Sequence, residues 1–119
     1  MPTILDLAGV DYPDKFQGRK IEPMRGRSMA GILDGTKKAI YSEADFVGGE
    51  MLGGRWMRQG DFKAVMIPEP IGTGEWQLFN VVKDPGEAKD LSATMPDKLE
   101  TLKAAWERYA KEVGVVLPK

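Results

Sequence analysis

Residues 54 to 65 read GRWMRQGDFKAV, which sets Arg55, Arg58 and Lys63 among two aromatics, Trp56 and Phe62, around a Gly60-Asp61 pair. Three cations with two stacking surfaces are the makings of an anion grip. The same residues also suit a hairpin in which the rings pack and the long basic side chains lie over the sheet with their charges in water. By composition alone the hairpin carries more weight, because basic residues alternating with aromatics are ordinary in half-buried strands.

Other chemistry is thinly supported. Asp84, Glu87 and Asp90 fall at i, i+3 and i+6 around a turn, whereas a calcium loop needs a longer, regular run of oxygen donors. They read as solvated turn carboxylates. Ser28, Ser42 and Ser92 have no histidine to activate them, and none lies in Gly-x-Ser-x-Gly. The chain has neither cysteine nor histidine, which removes disulfides, thiolate chemistry, the usual zinc ligand sets and the commonest general base. Among 18 carboxylates nothing selects a catalytic pair. VGGEMLGG, residues 47 to 54, lacks the Gly-Lys-Ser/Thr ending of a phosphate loop and the strand-to-helix setting of a dinucleotide fingerprint. Trp56, Met57, Met66, Trp76 and Trp106 read as core.

The elements that would position these residues begin with a short helix. Ile4, Leu7 and Ala8 step by three and four before Gly9, the tail of a helix too short to stand alone. Residues 11 to 36 carry Pro13, Pro23 and four glycines without a sustained period, so they predict an extended connector with a helical turn near Ser28 to Leu33. KKAIYSEADF alternates as a strand over residues 38 to 46. RWMRQ and FKAVMI follow on either side of Gly60-Asp61, and EWQLFNVV comes after the turn-rich PEPIGTG. Together they predict a four-stranded antiparallel meander. DPGE at 84 to 87 has the pattern of a type II turn. From Pro96, the residues Leu99, Leu102, Trp106, Tyr109 and Val113 define one face of a helix ending at Gly114. Lys103 with Glu107, Glu107 with Lys111 and Arg108 with Glu112 are its expected i,i+4 pairs.

The expected fold class is α+β: a four-stranded antiparallel sheet packed on one long C-terminal helix, after a short helical remnant and connector. The expected division is 1–36 for remnant and connector and 37–119 for sheet and helix 96–113, in one compact unit. With 119 residues, 42% of them hydrophobic, the chain suffices for one domain. A net charge of −1, from 17 basic and 18 acidic residues without long blocks, argues against nucleic acid or an anionic membrane as partner. MPTILDLAGVDYPDK has neither the basic lead of a signal peptide nor the length of a membrane span, so a soluble protein is expected, with cytoplasm or periplasm both compatible with the lack of cysteine.

Taken together, the stretches resemble type I sulfatases of the bacterial arylsulfatase branch, in the alkaline phosphatase-like superfamily. PTILDLAGV resembles the PT-x-L-x-LAG segment after the core helices of that family, and GRSMAGILDG resembles the G-x-S-L-x-x-x-L-x-G that follows. GGEMLGGRWMRQGDFKAV is similar to W-E-L-x-G-x-R-A-V-R-x-G-D-W-K, and WQLFNVVKDPGEAKDLS to x-E-L-Y-D-L-x-x-D-P-x-E-x-x-D-L-A. The terminal helix with WERYAKEVGVV then falls where the family has one. Gly49 and Phe62 stand where the family usually has Trp, Trp56 where it has Ala, and Phe79 and Asn80 where it has Tyr and Asp.

The resemblance implies the C-terminal subdomain alone of a sulfuric ester hydrolase, a structural cover of its catalytic domain and one wall of the substrate cleft, with Glu50 and Arg55 facing that cleft. The parent family works with a calcium ion and a formylglycine made from Cys or Ser in a Cys/Ser-x-Pro-Ser/Ala-x-Arg context. Ser28, Ser42 and Ser92 all lack a proline two residues on. No catalytic, cofactor or metal residue is therefore carried over, and the chain alone is expected to be inactive, a piece separated by truncation, alternative start or gene decay. Its expected partner is the N-terminal catalytic domain, with self-association through apolar surface on residues 1 to 10 and the open sheet face. The alternative is a free-standing interaction or self-association module without catalysis.

Overall fold

The computed structural model describes residues 1–118; Lys119, the end of the second expected segment, lies outside them. The chain divides into two compact units, Met1–Ser42 and Glu43–Lys119.

In the first unit, helix α1 (Pro2–Ala8) starts with proline, whose missing N–H costs nothing there, and stops at Gly9 in the left-handed conformation. Two two-residue strands, β1 (Lys15–Phe16) and β2 (Arg19–Lys20), pair across Gln17 and Gly18, both at positive φ. This hairpin, inside the expected connector, gives no hydrophobic signal because both strands are exposed. Helix α2 (Ala30–Leu33) supplies the expected helical turn. Ser28 Oγ donates to Asp6, and the Met29 N–H donates to Thr3 Oγ1 at 3.0 Å, tying the start of α2 to α1. Neither helix buries a residue, and Ile4, Leu7, Val10 and Leu33 are exposed.

The second unit is an antiparallel sheet in the order β3 (Phe46–Met51), β4 (Gly54–Gln59), β5 (Phe62–Met66) and β6 (Trp76–Asn80), with helix α3 (Pro96–Val113) on one face. The class, strand number and helix agree with the sequence expectation. The first strand does not lie over 38–46. It is the glycine-rich stretch that enters the ladder, because Gly48 and Gly49 face the large residues of β4: a Cβ on Gly48 would sit 2.5 Å from Met57 Cε and 2.8 Å from the Trp56 carbonyl. Small residues here let the strand lie close under Trp56 and Met57. Leu52 (φ 53) and Gly53 (φ 85) then make the two-residue turn between β3 and β4, whose paired positive φ matches the twist of a hairpin.

Register builds the core. Met57, Ala64 and Leu78 lie opposite one another across β4, β5 and β6, and all three are buried. They meet Leu102, Ala105 and Trp106 of α3, with Leu99 and Tyr109 packed around them. Burying a side chain such as Leu102 is worth about 1.5–3 kcal/mol, against a few tenths for an exposed ion pair on the far side of the helix. There Lys103 reaches back to Glu100 at 2.6 Å instead of forward to Glu107.

After β6, the buried Asn80 accepts the N–H groups of Val82 and Lys83 with its Oδ1 and so sets the turn. In DPGE the Glu87 N–H closes on the Asp84 carbonyl at 3.1 Å, but the residue at positive φ is Glu87, not Gly86. The turn is therefore not type II. Its conformation points the Glu87 carboxylate at Lys63. Among the described residues no helix is long and apolar enough to cross a membrane.

Candidate functional site

The three cations of GRWMRQGDFKAV do not converge. Side chains alternate along a strand, so Arg55 and Arg58, three apart, take opposite faces, and Lys63 lies across from Arg58 in the ladder. Arg58 and Lys63 are on the face away from α3. There Arg58 Nε donates to the Gly60 carbonyl at 2.8 Å and Lys63 pairs with Glu87 at 2.7 Å, both beside Trp56 in a shallow cavity of about 300 Å³. The two aromatics separate in the same way: Phe62 is on the helix face, with the Lys98 ammonium 5.5 Å from its ring centroid. As a single anion grip the stretch fails.

The carboxylates also have local employment. Asp84 Oδ2 accepts the Lys89 N–H at 2.8 Å, and Asp90 Oδ1 accepts the N–H groups of Leu78 at 3.0 Å and Ser92 at 2.8 Å. Burial opposes the charge of Asp90, but the Leu78 and Ser92 N–H groups outweigh it and hold the carboxyl below its ordinary pKa. Asp90 thereby pins the returning chain to β6, where the Leu91 N–H also meets the Leu78 carbonyl at 2.7 Å. Among the described residues, no three carboxylates lie close enough to hold a metal ion. No serine has the sequence context of a formylglycine.

Arg55 is placed differently. It pairs across the ladder with Glu50, whose Oε1 accepts the Gly53 N–H at 2.6 Å and so braces the β3–β4 turn. The Arg55 guanidinium lies over the Trp106 ring at 5.2 Å. That ring is itself fixed, by a 3.2 Å hydrogen bond from its Nε1 to the Gly49 carbonyl and by an edge contact with Trp76 at 5.9 Å between centroids. Arg55 Nε is buried with no hydrogen-bond acceptor, a state that costs about 1–3 kcal/mol or more when the group is charged. Arg55 also lines a cavity of about 580 Å³ with Gly53, Met66, Pro68, Glu69 and Leu117. The sequence singled out Glu50 and Arg55; it did not signal Trp106 or Glu69 as their neighbours, because the loop after β5 and the helix face reach the hairpin only through tertiary packing.

Known proteins supply the context. No family model matches the chain. It is 38% identical over 118 residues to an uncharacterized sulfatase of Schizosaccharomyces pombe, across 98% of this chain and 21% of that protein. The chain is a sulfatase homologue. An N-acetylglucosamine-6-O-sulfatase of Bacteroides thetaiotaomicron is 28% identical over 91 residues, 76% of this chain and 16% of the relative. A protein solved in complex with its substrate, D-glucosamine-2-N,6-O-disulfate, shares the fold over 92% of this chain and 22% of its own, with a TM-score of 0.60 and 23% identity. The homologue thus spans about a fifth of the relatives it matches, in their C-terminal part.

Proposed function

We propose that this chain serves as the C-terminal subdomain of a sulfatase, a structural cover of the catalytic domain that hydrolyses nothing by itself. The observation that carries the reading is the coverage: 98% of the chain aligns to a sulfatase, yet to only 21% of it. Calcium and formylglycine belong, on this reading, to the remaining four-fifths, together with the hydrolysis of a sulfate ester. The relatives named for sulfated glucosamines make sugar sulfates the first substrate class to consider for such a parent. The exposed Ile4, Leu7 and Val10 on and beside α1 support an apolar surface that a catalytic domain would cover. Without that cover the same residues favour self-association.

The test is an assay of the purified chain with an aryl sulfate and calcium. No turnover above a heat-killed control is expected, and turnover above it overturns the proposal. Sedimentation over a concentration series should show association that weakens in I4D/L7D. A monomer at all concentrations would remove the argument for an uncovered apolar surface.

A further inference from the structure

The cavity beside the β3–β4 turn is lined by a cation, Arg55, whose position is fixed and whose Nε lacks an acceptor. Arg55 is stacked on Trp106, whose own orientation is set by Gly49 and Trp76. The guanidinium therefore cannot swing to water without giving up the stack. Its Nε is the one buried side-chain nitrogen or oxygen among the described residues that lacks an acceptor. Glu50, the nearest carboxylate by register, accepts the Gly53 N–H with its Oε1 and makes no hydrogen bond to the Arg55 Nε. The other lining residues are mostly apolar or backbone, among them Met66, Pro68, Leu117 and Gly53, together with the exposed Glu69. A volume of about 580 Å³ is within the range of small-molecule pockets, which combine apolar walls with a few fixed polar groups.

We infer that this cavity binds a singly charged oxyanion carried on a small apolar body, with Arg55 as its ligand. The planar guanidinium takes two oxygens of a carboxylate or a sulfonate-type group side by side, which a point charge does not. Glu69 sets the selectivity, because a second negative charge on the ligand would face its carboxylate. A dianionic phosphate monoester is therefore discriminated against. The inference uses only residues of this chain.

The experiment titrates the full chain, labelled with nitrogen-15, with benzoate, benzenesulfonate, phenyl phosphate and inorganic sulfate. The Arg55 Nε–H and Trp106 Nε1–H resonances are the reporters. Benzoate or benzenesulfonate should shift both in a saturable manner, and the one that binds tighter identifies the oxyanion. Inorganic sulfate, lacking the apolar body, and phenyl phosphate should bind more weakly. R55Q should lose roughly tenfold or more in affinity, as for loss of a bidentate charged pair. E69Q should leave benzoate binding in place and strengthen phenyl phosphate, which keeps the test decisive even if R55Q unfolds. The inference is overturned if neither organic anion perturbs the two resonances at tens of millimolar, if folded R55Q binds as wild type does, or if E69Q alone moves the Arg55 signal while the anions do nothing.

Discussion

Gly49 and Trp56 are directly opposite each other in the β3–β4 ladder, and a Cβ on Gly49 would stand 3.0 Å from Trp56 Nε1. The sulfatase-like pattern has Trp at the first position and Ala at the second, so two departures that look independent in sequence amount to one indole moved across the strand pair. The swap G49W/W56A should then restore packing that either single change destroys. Trp56 is partly buried; removing on the order of 100 Å² of apolar contact at about 25 cal/mol/Å² makes W56A cost about 2–2.5 kcal/mol. G49W alone forces the new ring into the space of the old one, with an overpacking cost of about 1–3 kcal/mol. The double variant should lie within about 1 kcal/mol of wild type, giving a coupling of roughly 2–5 kcal/mol in a double-mutant cycle. Urea unfolding monitored by far-ultraviolet circular dichroism measures all four proteins, provided the transitions are two-state. Additive single effects, with the double variant the least stable of the four, would refute the argument that the two sites share one volume.

Two further expectations concern the same unit. G48A brings a Cβ to 2.8 Å from the Trp56 carbonyl, which is backbone and yields little, so about 1–3 kcal/mol of strain should exceed the roughly 0.5–1 kcal/mol gained by replacing glycine in a strand; a melting temperature equal to or above wild type would contradict this. Asp90 has a depressed folded-state pKa, so its contribution is present above the unfolded value near 3.8 and fades as pH falls through the lower, folded value. D90N should therefore be less stable than wild type at pH 7, by about 1 kcal/mol or less once solvent screening of this exposed carboxylate is allowed for, with the gap closing below about pH 4. An equal gap at pH 7 and pH 3 would show that the charge is immaterial.

Local signals were readable where local physics decides. Gly60-Asp61 sits between two alternating runs, and the helix from Pro96 to Val113 has an apolar stripe closed by Gly114; both elements lie where those patterns end. The first strand of the sheet is Phe46–Met51 and not 38–46, because the alternation in KKAIYSEADF is only a local pattern, while glycine in a strand announces nothing about its partner. The same limitation applies to DPGE, where a long-range pair between Lys63 and Glu87 accompanies a positive φ on Glu87 instead of on the glycine.

For the candidate site the division is sharper. Sequence alone determined that this chain has no histidine, no cysteine and no serine in a formylglycine context, and that its motifs run in sulfatase-like order over a sheet and a helix. It also singled out Glu50 and Arg55. Tertiary structure alone decided that Arg55 leaves Arg58 and Lys63 for the opposite face, stacks on the sequence-distant Trp106, and lies in a cavity with Glu69. The physical reason is that composition and period describe one segment at a time. Which face a cation occupies depends on register, and whether its N–H groups find an acceptor depends on what distant segments bring to that face.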